Sequence, residues 1–586
     1  MRWAPVLLWT LAARAAFGQA PCANTPAYTP CDLVFELSPA EAAEHPNPYL
    51  TVDLRAELRS PRHRTFLLPA FWDGGRRLVI RFTPTEAGEW VYRLSGNLKK
   101  YDGQQASFTA VASEAPGFVR PANVHHWAYT EGIRPHFWMG VNEPRFAFLP
   151  DAEFRALADA RAAQKFTHLR GLVLGGPSDK VFPTPDTPDP AYFQRLDQRI
   201  RYLNDKGLVV DLMLASAGGH LAKLFPTWEQ RQRFLRYLIG RYAPMNITWL
   251  GVEDFETYPD GRALLKEIGG VLKESDPYQH ARSTGARVTS AALLDDEWMD
   301  FVTHGAGADA QVGSIEHQLY KVPFVNLEAT RGQGDELRRS LWNAAMNGQY
   351  VSCTLPAGGP AATQATAFSE FFAGTRYWEL EPYFDVDGGR ALALEENDHI
   401  VYIEKPSQPI ELMVERHGYD VNWINPLDGA VTKAKDYKGE HFTGETPNRA
   451  HDWVLRVARL GRLEGMGRSY KFESRSIGLQ EIELNSAKVP FEIEAPAADL
   501  SLAKPMPYAA KIKRATRATR SMMYLWTGES AADGQGYRVL ATGAKGTARI
   551  DPGIAKTFPA VLHLRLLGMN ANGKVYSIDR TYQLNP

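Results

Sequence analysis

The chain of 586 residues has little of several things that would direct a reading at once. It holds only three cysteines, Cys22, Cys31 and Cys353. None stands with histidine at the spacing of a zinc motif, and no Gly-rich phosphate loop occurs, so neither a metal nor any other cofactor is expected. Charge of one sign is missing too: Lys+Arg 66 against Asp+Glu 67 leaves a net charge of -1. A nucleic-acid partner calls for a clustered basic excess and is not expected. Lys511, Lys513, Arg514, Arg517 and Arg520 form the one basic run, read as a solvated strand edge with no partner. Beyond the N-terminus no apolar run approaches the roughly 20 residues that span a bilayer, so membrane insertion is not expected. Nothing points to a particular oligomeric state.

What the chain does have begins at its N-terminus. Arg2, an apolar stretch over residues 6–13, and the small residues Ala16, Gly18 and Ala20 read as an export signal over residues 1–20. An exported protein, periplasmic or extracellular, is expected. In that oxidising setting Cys22 and Cys31 close a small loop, whereas Cys353 sits in an apolar stretch as a buried thiol. Fourteen Trp and 24 Tyr suit either rings that stack on sugars or the core of β-rich domains.

Along the chain the periodicity changes twice. Residues 32–115 alternate short apolar runs with turns, as at 50–54, 78–82 and 90–94, and read as an Ig-like β-sandwich. From about residue 120 to 384, strand-like runs alternate with helical stripes. Phe193, Leu196, Ile200 and Leu203 make one stripe, closed by Gly207. Asp151 is expected to cap the helix before it, and Thr227 with Gln230 resembles a capping box. The strands fall at residues 137–141, 166–174, 208–214, 247–252, 280–284, 299–304, 323–327 and 350–355. Eight units in this length predict a (β/α)8 TIM barrel. An open doubly wound sheet is the alternative, but no Gly-rich first turn marks its usual ligand site. Residues 385–460 and 480–586 return to strand periodicity and read as a small β-sandwich and a C-terminal Ig-like β-domain. The expected fold class is therefore multidomain α/β plus β, the barrel flanked by one N-terminal and two C-terminal β-sandwich domains.

Barrel enzymes build their sites at the C-terminal ends of strands. The fourth strand runs into Glu253, Asp254 and Glu256, and the seventh into Glu328. Glycoside hydrolysis needs two carboxyl groups, one to protonate the leaving oxygen and one to attack or to activate water. A lone acid at a strand end usually just begins a loop. Two of them, on the fourth and seventh strands, suit a pair across a barrel mouth.

These segments carry a resemblance. Asn246-Ile247-Thr248-Trp249-Leu250-Gly251-Val252-Glu253-Asp254 resembles strand four of the apiosidase-like glycoside hydrolases, and Val322-Pro323-Phe324-Val325-Asn326-Leu327-Glu328 resembles their strand seven. Phe71-Trp72-Asp73-Gly74-Gly75, Arg81-Phe82-Thr83-Pro84 and Gly88-Glu89-Trp90 resemble the uncharacterised β-domain that often precedes such barrels. Asp452-Trp453-Val454-Leu455 resembles the small β-domain that often follows. The likeness covers residues 35–459. It implies a secreted, retaining glycoside hydrolase acting on plant or microbial polysaccharide side chains, with Asp254 as acid/base and Glu328 as nucleophile. Two departures stand out: Ala329-Thr330-Arg331-Gly332 follows Glu328 where relatives carry an aromatic, a Gly and an acid, and the strand-four acid is Asp where many have Glu.

Glu253 and Glu256 remain alternatives for the acid, because adjacent residues on a strand face opposite ways. Trp138, Asn142 and Glu143 from the first strand, Arg170 from the second, and His220, His304 and Trp342 from later segments are expected to line the substrate site. Trp138 reads more readily as core, and His304 equally as a satisfied structural histidine. A carbohydrate-binding protein on a degenerate barrel is the alternative function.

Overall fold

The computed structural model describes residues 22–131, 134–329, 334–461, 483–484, 488–531 and 534–586. The expected export signal and the segment 330–333 after Glu328 lie outside these residues. The chain divides into two compact units, one ending at Ala115 and the other beginning at Pro116.

In the first unit a five-stranded sheet takes the order Thr25–Pro26, Gln105–Val111, Gly88–Gly96, Leu54–Arg59, Thr65–Pro69. A three-stranded sheet takes the order Cys31–Glu36, Arg77–Phe82, Phe71–Trp72. Leu54, Ala56 and Leu58 are buried while Arg55, Glu57 and Arg59 face water, the period-two pattern of a half-buried strand. Phe82 of one sheet meets Phe108 of the other with ring centroids 4.7 Å apart, which makes the pair of sheets a sandwich. The strand expected at 50–54 begins only at Leu54, because Pro48 opens a helical turn over Pro48–Thr51. Cys22 and Cys31 form a disulfide, and Cys353 is a buried free thiol.

The second unit opens with a hairpin, Val119–Ala122 paired with His126–Tyr129. Eight strands follow: β1 Met139–Asn142, β2 His168–Leu172, β3 Val209–Ala215, β4 Ile247–Val252, β5 Arg282–Ser283, β6 Val302–His304, β7 Phe324–Asn326 and β8 Tyr350–Cys353. All ladders are parallel, in the order β5-β4-β3-β2-β1-β8-β7-β6. The seam between β5 and β6 is held by Asp300 N donating to Arg282 O at 2.8 Å and Ser283 Oγ to Phe301 O at 2.8 Å. This is a (β/α)8 barrel. Its helices are α1 Asp151–Ala163, α2 Pro190–Asp205, α3 Trp228–Tyr242, α4 Gly261–Ser275, α5 Ala310–Leu319, α6 Asp335–Ala345 and α7 Pro360–Ala373, with a 3-10 turn, Ala291–Asp296, between β5 and β6. Thr227 and Gln230 make the full capping box of α3. Asp151 does not cap α1: Pro150 precedes the helix, and Asp151 is its first residue.

The barrel's N-terminal end is closed by the hairpin, whose Trp127 packs on Trp138 and Phe301 at centroid distances of 4.8 and 5.1 Å. Beyond β8, eight strands from Glu381–Tyr383 to Trp453–Arg459 form a single antiparallel sheet around Val401, Leu412, Trp423 and Leu455, where two small sheets were expected. The long strand Ile410–Ile424, bulged between Met413 and His417, pairs with four neighbours and so keeps the sheet continuous. Buried Arg338 on α6 anchors this domain, donating through Nε to both Asp452 oxygens at 3.1 and 3.0 Å. The last domain has two sheets and packs on α5, where Val312 and Ile315 meet Leu525, Leu567, Met569 and Val575. Among the described residues no helix is long and apolar enough to cross a membrane.

Candidate active site

The mouth of the barrel is built where regular strands stop. On β4, Thr248 points inward, donating to Asp211 Oδ1 at 2.6 Å, and Trp249 points outward to Asp276 Oδ2 at 3.0 Å. The alternation then breaks. Val252 N goes to the Thr284 hydroxyl at 3.0 Å and Glu253 N to Ala215 O on β3 at 3.0 Å, so the carboxylates leave the ladder irregularly. Asp254 adopts φ 45° and ψ 64°, a left-handed conformation that Asp tolerates better than most residues. Its carbonyl accepts from both Thr257 N and Thr257 Oγ1 at 2.8 Å, fixing the turn.

The three acids of this segment differ in surroundings. The Asp254 side chain is 39% exposed, with Arg287 Nε 3.9 Å from Oδ2. Glu256 accepts from Arg287 N at 3.1 Å through both oxygens, and so holds the loop after β5. Burial raises its pKa, Asp254 adds to the rise, and the hydrogen bonds oppose it. Glu253 is half-buried, and among the described residues no hydrogen bond or ion pair engages its carboxylate. Gly285 allows β5 to approach here: a Cβ would stand 3.0 Å from Val252 O and 3.1 Å from Glu253 Cα.

Across the mouth, Glu328 follows β7, its N–H donating to Asn326 Oδ1 at 3.1 Å. Its carboxylate is gripped by Arg170 Nη2 of β2. Arg170 is itself oriented, Nε donating to Asn142 Oδ1 at 2.9 Å, and Asn142 Nδ2 donates to Leu327 O at 2.8 Å. Three strand ends, β1, β2 and β7, thus lock one carboxylate in place. Such second-layer support is what a group needs to be held at a reacting position.

The remaining expected residues scatter. His220, after β3, bonds to Ser216 Oγ at 3.0 Å near the mouth, and burial lowers its pKa. Glu143 turns away, accepting from Arg161 Nη2 of α1 at 3.0 Å; burial raises its carboxyl against the pull of that guanidinium. Trp138 does not line the mouth. It lies at the N-terminal side, fully buried and stacked 3.6 Å over His168. His304 faces out of the barrel to Glu316 Oε2 at 2.8 Å, a satisfied buried pair, because its neighbour Thr303 takes the inward place. Trp342 is buried among Phe368, Phe371, Phe372 and Tyr402, between the barrel and the middle β-domain. Two rim features were not anticipated. Arg145 after β1 pairs with Asp179 after β2 at 2.6 Å, which lowers the Asp179 carboxyl. Arg287 also lies 3.8 Å from Asp551 of the last domain.

The mouth therefore has one carboxylate fixed by a guanidinium and a group of acids opposite on the β4 end. The barrel matches the apiosidase-like catalytic domain. That family's model covers residues 134–352, from just before β1 into β8. Residues 24–97 match a domain of unknown function, DUF5060. No curated protein matches the sequence. Among solved structures, a candidate glycoside hydrolase of Bacteroides vulgatus ATCC 8482 is similar at 18% identity and TM-score 0.64, over 75% of this chain and 100% of that one. A glycoside hydrolase family 5 structure from the same organism is similar at 15% identity and TM-score 0.51, over 59% and 94%. At these identities the two structures speak to the fold alone.

Proposed function

We propose that the protein is an exported, retaining glycoside hydrolase of the apiosidase-like kind, acting on side chains of plant or microbial polysaccharides. The observation that carries this reading is Glu328, held at the end of β7 by the Arg170–Asn142 relay, with acids on β4 in the same barrel mouth. The match of the barrel to an apiosidase-like catalytic domain supports it. Glu328 attacks the anomeric carbon and forms a glycosyl ester as the leaving oxygen takes a proton from Asp254. Asp254 then draws a proton from water, which cleaves the ester and frees Glu328. The left-handed turn at the end of β4 and the partial exposure of the Asp254 side chain support this role. Glu253 is the second reading for the acid, favoured by its half-buried carboxylate, which no hydrogen bond or ion pair engages among the described residues.

The test is a screen against aryl glycosides and polysaccharides with the wild type, Glu328→Ala, Asp254→Asn and Glu253→Gln. Glu328→Ala is expected to lower turnover by about three orders of magnitude or more, as removal of a nucleophile does. Asp254→Asn is expected to slow substrates with poor leaving groups by about 100-fold or more and those with good ones far less. If Glu253→Gln shows that dependence instead, the acid is Glu253. Wild-type binding without turnover anywhere in the panel would overturn the enzyme reading in favour of a carbohydrate-binding barrel.

A further inference from the structure

At the opposite, N-terminal end of the barrel two elements bring imidazoles onto a carboxylate of a third. His125 lies beside the hairpin turn, His317 in the last turns of α5, and Glu381 opens the middle β-domain. His125 Nδ1 stands 3.2 and 3.1 Å from the two Glu381 oxygens, and His317 Nε2 stands 3.4 Å from Oε2. One ligand atom from each of the three residues lies within 4.8 Å of the others. A tetrahedral ion with metal–ligand distances near 2.0–2.1 Å needs ligand atoms about 3.3 Å apart. Two edges of this triangle already have that length.

Hydrogen-bond direction says more than distance. His125 Nε2 lies 3.0 Å from Tyr320 O, and a carbonyl only accepts, so that nitrogen carries the proton. A singly protonated ring then turns its Nδ1 lone pair onto the carboxylate. A backbone carbonyl behind the far nitrogen is also the usual support of a metal-bound histidine. His317 is 1% exposed, and its Nε2 makes no hydrogen bond among the described residues. Its Nδ1 accepts from the Gln318 amide nitrogen at 3.5 Å, a contact long enough to give way, so that an ion taking Nε2 can shift the proton to Nδ1. Gly348 leaves room for this ring: a Cβ there would stand 2.3 Å from His317 Nε2. The carboxylate is held from behind by His126, whose Nε2 lies 3.1 Å from Oε1 and whose Nδ1 meets Tyr350 OH at 2.9 Å. Glu381 is 20% exposed, which leaves an approach from solvent.

We propose that His125 Nδ1, His317 Nε2 and Glu381 bind one divalent ion of the zinc class. Two imidazoles and a carboxylate suit zinc, cobalt or nickel better than magnesium or calcium. The ion's role is structural, clasping the hairpin, α5 and the middle β-domain at the end of the barrel away from Glu328. The proposal stands or falls independently of the glycosidase reading.

The test uses the full chain without a histidine tag, stripped with a chelator. One zinc per chain is expected by elemental analysis after dialysis against zinc, with a Kd tighter than about 1 µM by competition with a chromophoric chelator, on the strength of structural zinc sites. Thermal unfolding should shift upward with zinc, and cobalt should give the visible bands of a tetrahedral site. His317→Gln and Glu381→Gln should each weaken zinc by more than about 100-fold, beyond the usual cost of a supporting residue. If these variants fail to fold, the wild-type cobalt spectrum and zinc-induced shift decide. No cobalt bands and no shift at about 100 µM zinc, or zinc bound equally by folded His317→Gln, would overturn the site.

Discussion

The two ends of the barrel handle polar side chains in opposite ways. At the mouth, Asp254 and Glu253 sit on backbone that has left the ladder, partly open to water, and Glu328 is the one acid clamped from several strands. At the floor the polar groups are sealed from water and bonded mostly to one another. Asp211 Oδ1 accepts from Thr248 at 2.6 Å and from His168 Nδ1 at 2.8 Å, and His168 Nε2 then accepts from His136 Nε2 at 2.7 Å. Trp138 covers the pair. Buried polar groups are costly unless satisfied, so bonded chains suit the floor, although Asp211 Oδ2 has no partner among the described residues, while acids at the mouth can be left open to water. The comparison teaches that strand-end acids stay open to water where the backbone stops being regular, whereas polar groups inside the ladder are bonded to their neighbours.

Three changes sharpen or break this contrast. Arg170→Met removes the clamp on Glu328 and frees Asn142. It should lower kcat by about 100-fold, roughly 2.7 kcal/mol of transition-state stabilisation, with little change in thermal midpoint. Steady-state kinetics beside a melting curve checks this, and a loss of stability with kcat intact would move Arg170 to the scaffold. Trp138→Phe should do the reverse. It removes the indole N–H to Ser352 at 3.3 Å and the stack on His168, costing about 2 kcal/mol in denaturant unfolding with KM and kcat within about twofold.

The smallest effect is one of pH. Burial first, and electrostatic interaction with His168 second, push His136 well below the ordinary histidine range. Below about pH 6.5 the unfolded chain takes up a proton that the folded floor refuses. Stability is therefore full above that pH and is lost as pH falls toward the folded value, by up to about 1.4 kcal/mol per pH unit for this proton. Unfolding of wild type and His136→Gln at pH 7.5 and 5.5 should show a shallower acid loss in the variant. Equal losses would mean the floor admits the proton.

Much of the scaffold was legible in the residues. Strand β4 has its expected bounds, Ile247–Val252, because an apolar run ends sharply at acids. Capping residues placed α3 for the same local reason. β5 shrank from residues 280–284 to Arg282–Ser283, since beyond Ser283 the Thr284 hydroxyl, rather than its backbone, bonds Val252 N and O of β4. Arg170 could be singled out as a lone cation within a buried strand. Facing was not legible: His304 ends its strand, much as Glu328 stands just past the end of β7, yet lies on the outer side, and Trp342 belongs to a helix face that packs on Phe368 and Tyr402. The floor's histidines could not be grouped by spacing, because His125, His317 and Glu381 meet only through the fold.

The central claim is that the clamped carboxylate at the end of β7 is the one that attacks sugar. The direct measurement is mass spectrometry of the enzyme after incubation with a 2-deoxy-2-fluoro analogue of its best aryl glycoside, which slows breakdown of a glycosyl ester. The account predicts one fluorosugar on the peptide carrying Glu328 and none on the Glu328→Ala variant. A label on another carboxylate, or turnover of the parent glycoside with inversion and no label at all, would contradict it.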